Sequence, residues 1–357
     1  MTLVIAEAGV NHNGDPKIAF ALIDEAKKAG ADIVKFQTFK TENLVIESAN
    51  KASYQISNGG QDESQANMLR KLELPYSLHQ DLLSHCEKIG IQFLSTAFDS
   101  ESLEFLVNDL GLKLLKIPSG ELTNAPFVLE HARTGCSLIV STGMASLAEI
   151  EFALGVIAFG YLSDAAAKPS VEEFQLAYSS ERGQAALHKN VTLLHCTSEY
   201  PTPLGSVNLN VIKTLEQAFG LPVGYSDHTE GIAISIAAVA KGSVVIEKHF
   251  TLDKQMEGPD HKSSLEPDEL RAMVSGVRAV ELALGSAIKA PSASEVENKV
   301  AIRKSLVAVR DIESGDLFTP ENLAIKRPGS GIAPQEYWRF IGSVSQQQYR
   351  AGDIIIE

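Results

Sequence analysis

Lys35 and Lys116 each interrupt an apolar run, Ile-Val-Lys-Phe and Leu-Leu-Lys-Ile. An ammonium turned into such a wall needs an anionic partner, because burying an unpaired charge is costly. Hydroxyls stand at the ends of neighbouring runs, at Thr96, Ser119 and Ser141. Two converging cations with hydroxyl donors make a pocket for a phosphate or carboxylate. The same lysines could instead pair with Glu7 or Glu247, and each hydroxyl taken alone could be a cap or loop contact.

His228 and His249 end two further apolar runs. If those runs are adjacent strands, they lie about 4.8 Å apart, and both imidazoles can reach one divalent ion. Two His ligands with open positions suit a Lewis acid that polarises a substrate carbonyl. A single strand-end His reads as a hydrogen-bonded structural residue, but the pairing beside Asp227 and Glu247 favours ligation. His195, placed before Cys196 in an apolar run, reads as a core histidine. Spacing does not identify the metal.

Short β-branched runs alternating with helical patterns must position these groups. Leu3–Ala8, Ile33–Gln37, Gln92–Thr96, Leu114–Ile117, Ser137–Ser141, Thr192–Cys196, Val223–Ser226 and Val244–His249 read as strands. Helical patterns follow at Pro16–Ala29, Leu78–Ile89, Glu101–Leu110, Pro126–Thr134, Leu147–Phe159, Leu209–Phe219, Gly231–Lys241 and Pro267–Leu284. Eight βα units suit an α/β fold, a (β/α)8 TIM barrel with its site at the strand C-termini. A doubly wound open sheet is the alternative, and no Gly-rich dinucleotide fingerprint follows the first strand.

Two segments interrupt the repeat. Thr41–Lys71, polar and containing Gly59-Gly60, reads as a long loop over the barrel mouth, and Gly160–Lys189 as an insertion helical at Val171–Tyr178. The expected domains are a barrel over 1–288, a Pro/Ser-containing linker over 289–300 and a small β-rich domain over 301–357. In the last, Lys304–Arg310, Ile312–Gly315 and Leu323–Arg327 are expected strands.

Composition narrows the function. Of 357 residues, 31 are Lys or Arg and 45 Asp or Glu, a net charge of −14, which disfavours a nucleic-acid partner. Any anion must therefore be met by locally converging cations. Three separated cysteines with no CxxC pair argue against a disulfide framework and for a reducing, cytoplasmic setting. The N-terminal residues read as a first strand rather than a signal peptide, and no apolar run is long enough to span a bilayer, so no membrane is expected.

Seven strings carry a resemblance: Ile-Ala-Glu-Ala-Gly-Val-Asn-His-Asn-Gly (5–14), Val-Lys-Phe-Gln-Thr-Phe (34–39), Lys-Ile-Pro-Ser-Gly-Glu (116–121), Ser-Thr-Gly-Met (141–144), Gly-Tyr-Ser-Asp-His-Thr (224–229), Glu-Lys-His-Phe-Thr-Leu-Asp (247–253) and Gly-Pro-Asp-His (258–261). Together they resemble the sialic acid synthase family, which joins a TIM barrel to a C-terminal antifreeze-like (SAF) domain. Lys304–Glu357, with Lys-Arg-Pro-Gly-Ser-Gly at 326–331, looks like the latter.

The resemblance implies condensation of phosphoenolpyruvate with an N-acetylated hexosamine aldehyde, giving a nonulosonic acid and phosphate. It implies that Lys35, Thr96, Lys116, Ser119 and Ser141 hold phosphoenolpyruvate, and that His228 and His249 bind Mn2+ or Mg2+. Gln37, Tyr200 and Asp260 match sugar-contacting positions, Glu121 a proton-transfer carboxylate, and Glu7 a further catalytic carboxylate of unassigned role. Ser198 stands where some members carry Asn against the phosphate, and Ala97 where Pro is common. The resemblance also implies a domain-swapped homodimer in which Arg327 reaches the partner's sugar site. N-acetylneuraminate synthase, using N-acetylmannosamine, is the first expectation. Legionaminic acid synthase, using 2,4-diacetamido-2,4,6-trideoxymannose, is the alternative. An aldol synthase for phosphorylated sugars would need a second basic cluster, and a non-catalytic sugar- or ice-binding protein would need neither lysine pair nor histidine pair.

Overall fold

The computed structural model describes residues 1–51, 64–164 and 166–356. Eight parallel strands close into a barrel in sequence order: β1 Leu3–Gly9, β2 Ile33–Thr38, β3 Gln92–Ala97, β4 Leu114–Ile117, β5 Ser137–Ser141, β6 Val191–Cys196, β7 Val223–Asp227 and β8 Val245–His249. The open-sheet alternative is thereby excluded. Each of the eight expected barrel strands is found within one residue of its expected ends.

Local sequence explains the first βα unit. Asp15 accepts from the Lys17 N–H at the start of helix Pro16–Ala29, and Gly30 closes it in the left-handed region, φ 86°, where a side chain is disfavoured. The helix buries Ala19, Leu22, Ile23 and Ala26 on one stripe.

The strands are buried on both faces, and their period of two sorts residues between them. Ile5, Ile33, Leu94, Ile139, Leu194 and Val245 form one packed cluster in the barrel. Two residues further along the same strands come Glu7, Lys35, Thr96, Ser141, Cys196 and Glu247. An apolar layer therefore underlies a polar one. The register holds that polar layer level, pairing Glu7 with Lys35 and His249, Thr96 with Gln37 and Lys116, and Ser226 with Glu247. Gly224 fits the barrel because a Cβ there would lie 2.5 Å from Leu194 and 2.6 Å from Val245.

Three expectations need correction. Thr41–Lys71 is not loop throughout: helices Thr41–Leu44 and Gln65–Leu72 stand at its ends, the second capped by Ser64. Gly59 and Gly60 lie outside the described residues. The region 160–189 is more helical than expected. The preceding helix runs on to Leu162, and Ser170 and Ser180 cap Val171–Ser179 and Glu181–Asn190. Phe174 packs edge-on against Phe152 and Phe159, which places the insertion on the outer helical layer. Ile312–Gly315 is no strand, since only Ile312 makes a bridge, to Tyr349.

Contacts divide the chain into Met1–Gly285 and Ser286–Glu357. In the second unit, a capping box of Ser292 and Glu295 starts helix Ala293–Ile302. β9 Ser305–Ala308 pairs antiparallel with β10 Leu323–Lys326, over a core of Leu306, Ile312, Phe318, Phe340 and Ile355. Among the described residues no helix is long and apolar enough to cross a membrane.

Candidate active site

A cavity of about 370 Å3 opens at the strand C-termini. Glu7, Lys35, Gln37, Thr96, Lys116, Ser119, Glu121, Ser141, Ser198, Tyr200, His228, His249 and Asp260 all line it. Arg327 belongs to the second unit, exposed just after β10.

The two lysines and two glutamates form one ionic cluster, each side chain 2–6% exposed. Lys35 Nζ lies 2.6 Å from Glu7 and 3.6 Å from Glu247, and donates to Thr96 Oγ1 at 3.1 Å. Lys116 Nζ lies 2.8 Å from Glu247. Both lysines are thus paired with carboxylates, so the surplus positive charge expected of a bare anion clamp is neutralised within the wall.

The two carboxylates differ in proton affinity. Burial would raise Glu247, but Lys116 and Lys35 more than offset it and hold the group well below the usual range. Burial raises Glu7, Lys35 offsets this only partly, and the charge of Glu247 adds to the rise. Gln37 Nε2 donates to Glu7 at 3.3 Å. A carboxyl held above its ordinary range beside a reacting group suits proton exchange.

A cradle of small donors adjoins the cluster. Ser119 and Ser141 hydroxyls lie 3.1 and 3.2 Å from Cys196 Sγ, and the Gly143 N–H donates to Ser119 Oγ at 3.0 Å. A Cβ on Gly143 would come within 2.5 Å of Ser198 Oγ and 2.7 Å of Cys196 Sγ. A side chain at this point would have to displace one of these groups. Cys196 and Gly143 escaped the sequence reading: a cysteine in an apolar run gives no polar signal, although its place two residues after Leu194 assigns it to the inner face.

The His228 and His249 rings lie 5.7 Å apart, and Tyr200 packs 4.0 Å from His228. Burial pushes the His228 imidazole down to about 4 and His249 well below its usual value, so both are neutral at pH 7. The Thr197 carbonyl, 2.7 Å from His228 Nδ1, fixes the proton on that nitrogen and leaves Nε2 as the lone-pair donor. His249 Nδ1 has no hydrogen-bond partner and lies 3.9 Å from Asp260. Two neutral imidazoles, one oriented through a backbone carbonyl, fit a divalent ion. Among the described residues no three His, Cys, Asp or Glu side chains converge as a metal cluster, so a bound ion would draw further ligands from substrate or water.

Asp260 is buried, and that burial, with the charge of Glu7, pushes its carboxyl up to about 7. Glu121 sits half-buried at the rim, accepting from Asn124 Nδ2 at 2.7 Å. His195 is held as a core residue, with Val207 O 2.7 Å from Nε2. Asp227 is turned away from the cavity. It pairs with fully buried Lys248 at 3.0 Å and accepts from Thr229 and Ser235. Ser226, missing from the sequence candidates, lines the cavity and donates to Glu247 at 2.9 Å.

The chain is similar in sequence and fold to known proteins. The NeuB family matches residues 22–289 and the SAF domain residues 303–356. The chain is 48% identical to the N,N'-diacetyllegionaminic acid synthase of Campylobacter jejuni, covering 100% of this chain and 99% of that protein. It is 42% identical to the synthase of the same name from Legionella pneumophila, covering 99% and 93%. The crystal structure of N-acetylneuraminic acid (sialic acid) synthetase from Leptospira borgpetersenii superposes with a TM-score of 0.65 at 33% identity, covering 83% of this chain and 90% of that one.

Proposed function

The chain belongs to the NeuB family and ends in a SAF domain, and we propose that it condenses phosphoenolpyruvate with 2,4-diacetamido-2,4,6-trideoxymannose, forming N,N'-diacetyllegionaminic acid and phosphate. One observation carries the choice of sugar: the two full-length relatives at 48% and 42% identity share that activity in their names, against 33% for the N-acetylneuraminic acid synthetase structure. This reverses the order in which the sequence reading placed the two sugars. N-acetylmannosamine becomes the second reading.

In this reading Lys35 and Lys116 hold the anionic groups of phosphoenolpyruvate, with Thr96, Ser119, Ser141 and Ser198 as hydroxyl donors. Gln37, Tyr200 and Asp260 orient the open-chain sugar so that its aldehyde carbon meets carbon 3 of phosphoenolpyruvate. Water then adds at carbon 2, and the tetrahedral intermediate releases phosphate with C–O cleavage. Holding both reactants in one cavity supplies much of the rate. Glu7, whose burial favours the protonated form, exchanges a proton with the oxygen that gains charge, and rim-placed Glu121 serves the solvent side. His228 and His249 would hold Mn2+ or Mg2+, whose contribution is Lewis-acid polarisation of the aldehyde.

The acting form in this reading is a cytoplasmic homodimer with exchanged SAF domains, where Arg327 completes the partner's sugar site. Phosphate release from phosphoenolpyruvate, measured over a panel of N-acetylated sugars with and without chelator, tests the proposal. Release should require both a sugar and a metal. Turnover with no N-acetylated aldehyde would refute the reaction class, full activity after complete metal removal would refute the metal, and full sugar use by Arg327→Ala would refute the cross-subunit role.

A further inference from the structure

The cavity lining is chemically divided. The hydroxyl cradle lies at the ends of β4, β5 and β6, at Ser119, Ser141 and Ser198, while Phe39, Leu44, Leu69 and Phe98 follow β2 and β3. In an eight-stranded ring these are different arcs of the mouth. Leu44, Leu69 and Phe98 pack on a buried cluster that includes Phe39 and Met68, yet remain half-buried themselves. Apolar surface is thus left facing the cavity. Phosphoenolpyruvate, anionic at both ends, cannot use it.

We propose that Leu44, Leu69 and Phe98 form a selectivity wall that takes the 4-acetamido and 6-methyl groups of the sugar. The inference rests on the reading of the acceptor as a diacetamido trideoxy sugar. N-acetylmannosamine presents hydroxyls at both positions, and a hydroxyl against such a wall is desolvated with no partner. The trideoxy sugar instead presents a methyl at each position: loss of the 6-hydroxyl leaves a 6-methyl, and the second acetamido group ends in another. Such methyl differences in an apolar pocket discriminate by roughly 10-fold or more.

The test measures kcat/KM for both sugars in the full-length enzyme and in the variants Leu69→Gln, Leu44→Gln and Leu69→Met. The expected result is a wild-type preference for the trideoxy sugar that falls about 10-fold in either Gln variant and survives in Leu69→Met. Because the readout is a ratio, a general loss of folded enzyme cancels. A wild-type preference for the trideoxy sugar that the Gln variants leave unaltered overturns the wall alone. A wild-type preference for N-acetylmannosamine overturns the sugar assignment and the wall with it.

Discussion

Lys116 Nζ donates to Glu247 Oε1 at 2.8 Å, the same oxygen that Ser226 Oγ reaches at 2.9 Å. The lysine proposed to hold the anion is therefore itself held by a buried carboxylate from β8, the strand that also carries His249. Removing one partner of a buried pair strands the other charge at a cost of about 3–5 kcal/mol, whereas replacing both by apolar groups is near neutral. Lys116→Met should therefore lower stability by about that amount and abolish phosphate release. The Lys116→Met/Glu247→Leu double variant should regain most of the stability and none of the activity. Urea titration with the phosphate assay checks both, and an active double variant would contradict the lysine's role.

Gly143→Ala tests the cradle. Its Cβ would press on Ser198, Cys196 and Ser119 at 2.5–2.7 Å. The expected effect is a KM for phosphoenolpyruvate raised about 10-fold or more, with the sugar KM changed less. Equal changes in both constants would place the cradle away from the phosphate.

Asp227 and Lys248 lie outside the cavity but flank both candidate metal ligands in sequence. Asp227 is pinned by Lys248, Thr229 and Ser235. Lys248 donates to the Thr229 carbonyl, so the backbone on each side of His228 is fixed. Asp227→Asn should weaken Mn2+ binding by roughly 10-fold, the lower range for supporting residues around a metal. Titration calorimetry with Mn2+ reads this directly, and an unchanged affinity would reduce the pair to a structural one.

His131 bears on stability against pH. It is fully buried, its Nδ1 2.9 Å from the Phe127 carbonyl, and burial lowers its pKa to about 4. The unfolded chain takes up a proton near pH 6.5, so stability is unaffected above that value and declines as pH falls from 6.5 towards 4. The full difference is of order 3 kcal/mol. Stability curves should show this acid slope, shallower by up to one proton in His131→Gln. Identical slopes would exclude His131 as a contributor.

The barrel was legible because each strand is an apolar run of four to seven residues, and an ionisable residue inside such a run has few ways to be satisfied. Lys35 and Lys116 stand out on that ground, with Glu7 and Glu247 as their possible partners. What composition concealed were features set by neighbours rather than by residue type. Gly143 matters only because Ser119, Cys196 and Ser198 crowd it. Asp227 reads like a site residue until the strand period turns it outward to Lys248. The helix Gln65–Leu72 was hidden in a polar segment, where Ala66, Met68 and Leu72 fall on its buried face and Leu69 stays half-buried. Mutual pairing of both lysines with Glu7 and Glu247 required the closed ring, because β8 meets β1 only when the barrel closes.

A competition assay tests the assignment of the sugar most directly. The enzyme is given phosphoenolpyruvate, Mn2+ and equal amounts of 2,4-diacetamido-2,4,6-trideoxymannose and N-acetylmannosamine, and the products are separated by mass. N,N'-diacetyllegionaminic acid should predominate by at least 10-fold, with one phosphate released per product. A predominance of N-acetylneuraminate, or phosphate released without either sugar acid, would contradict it.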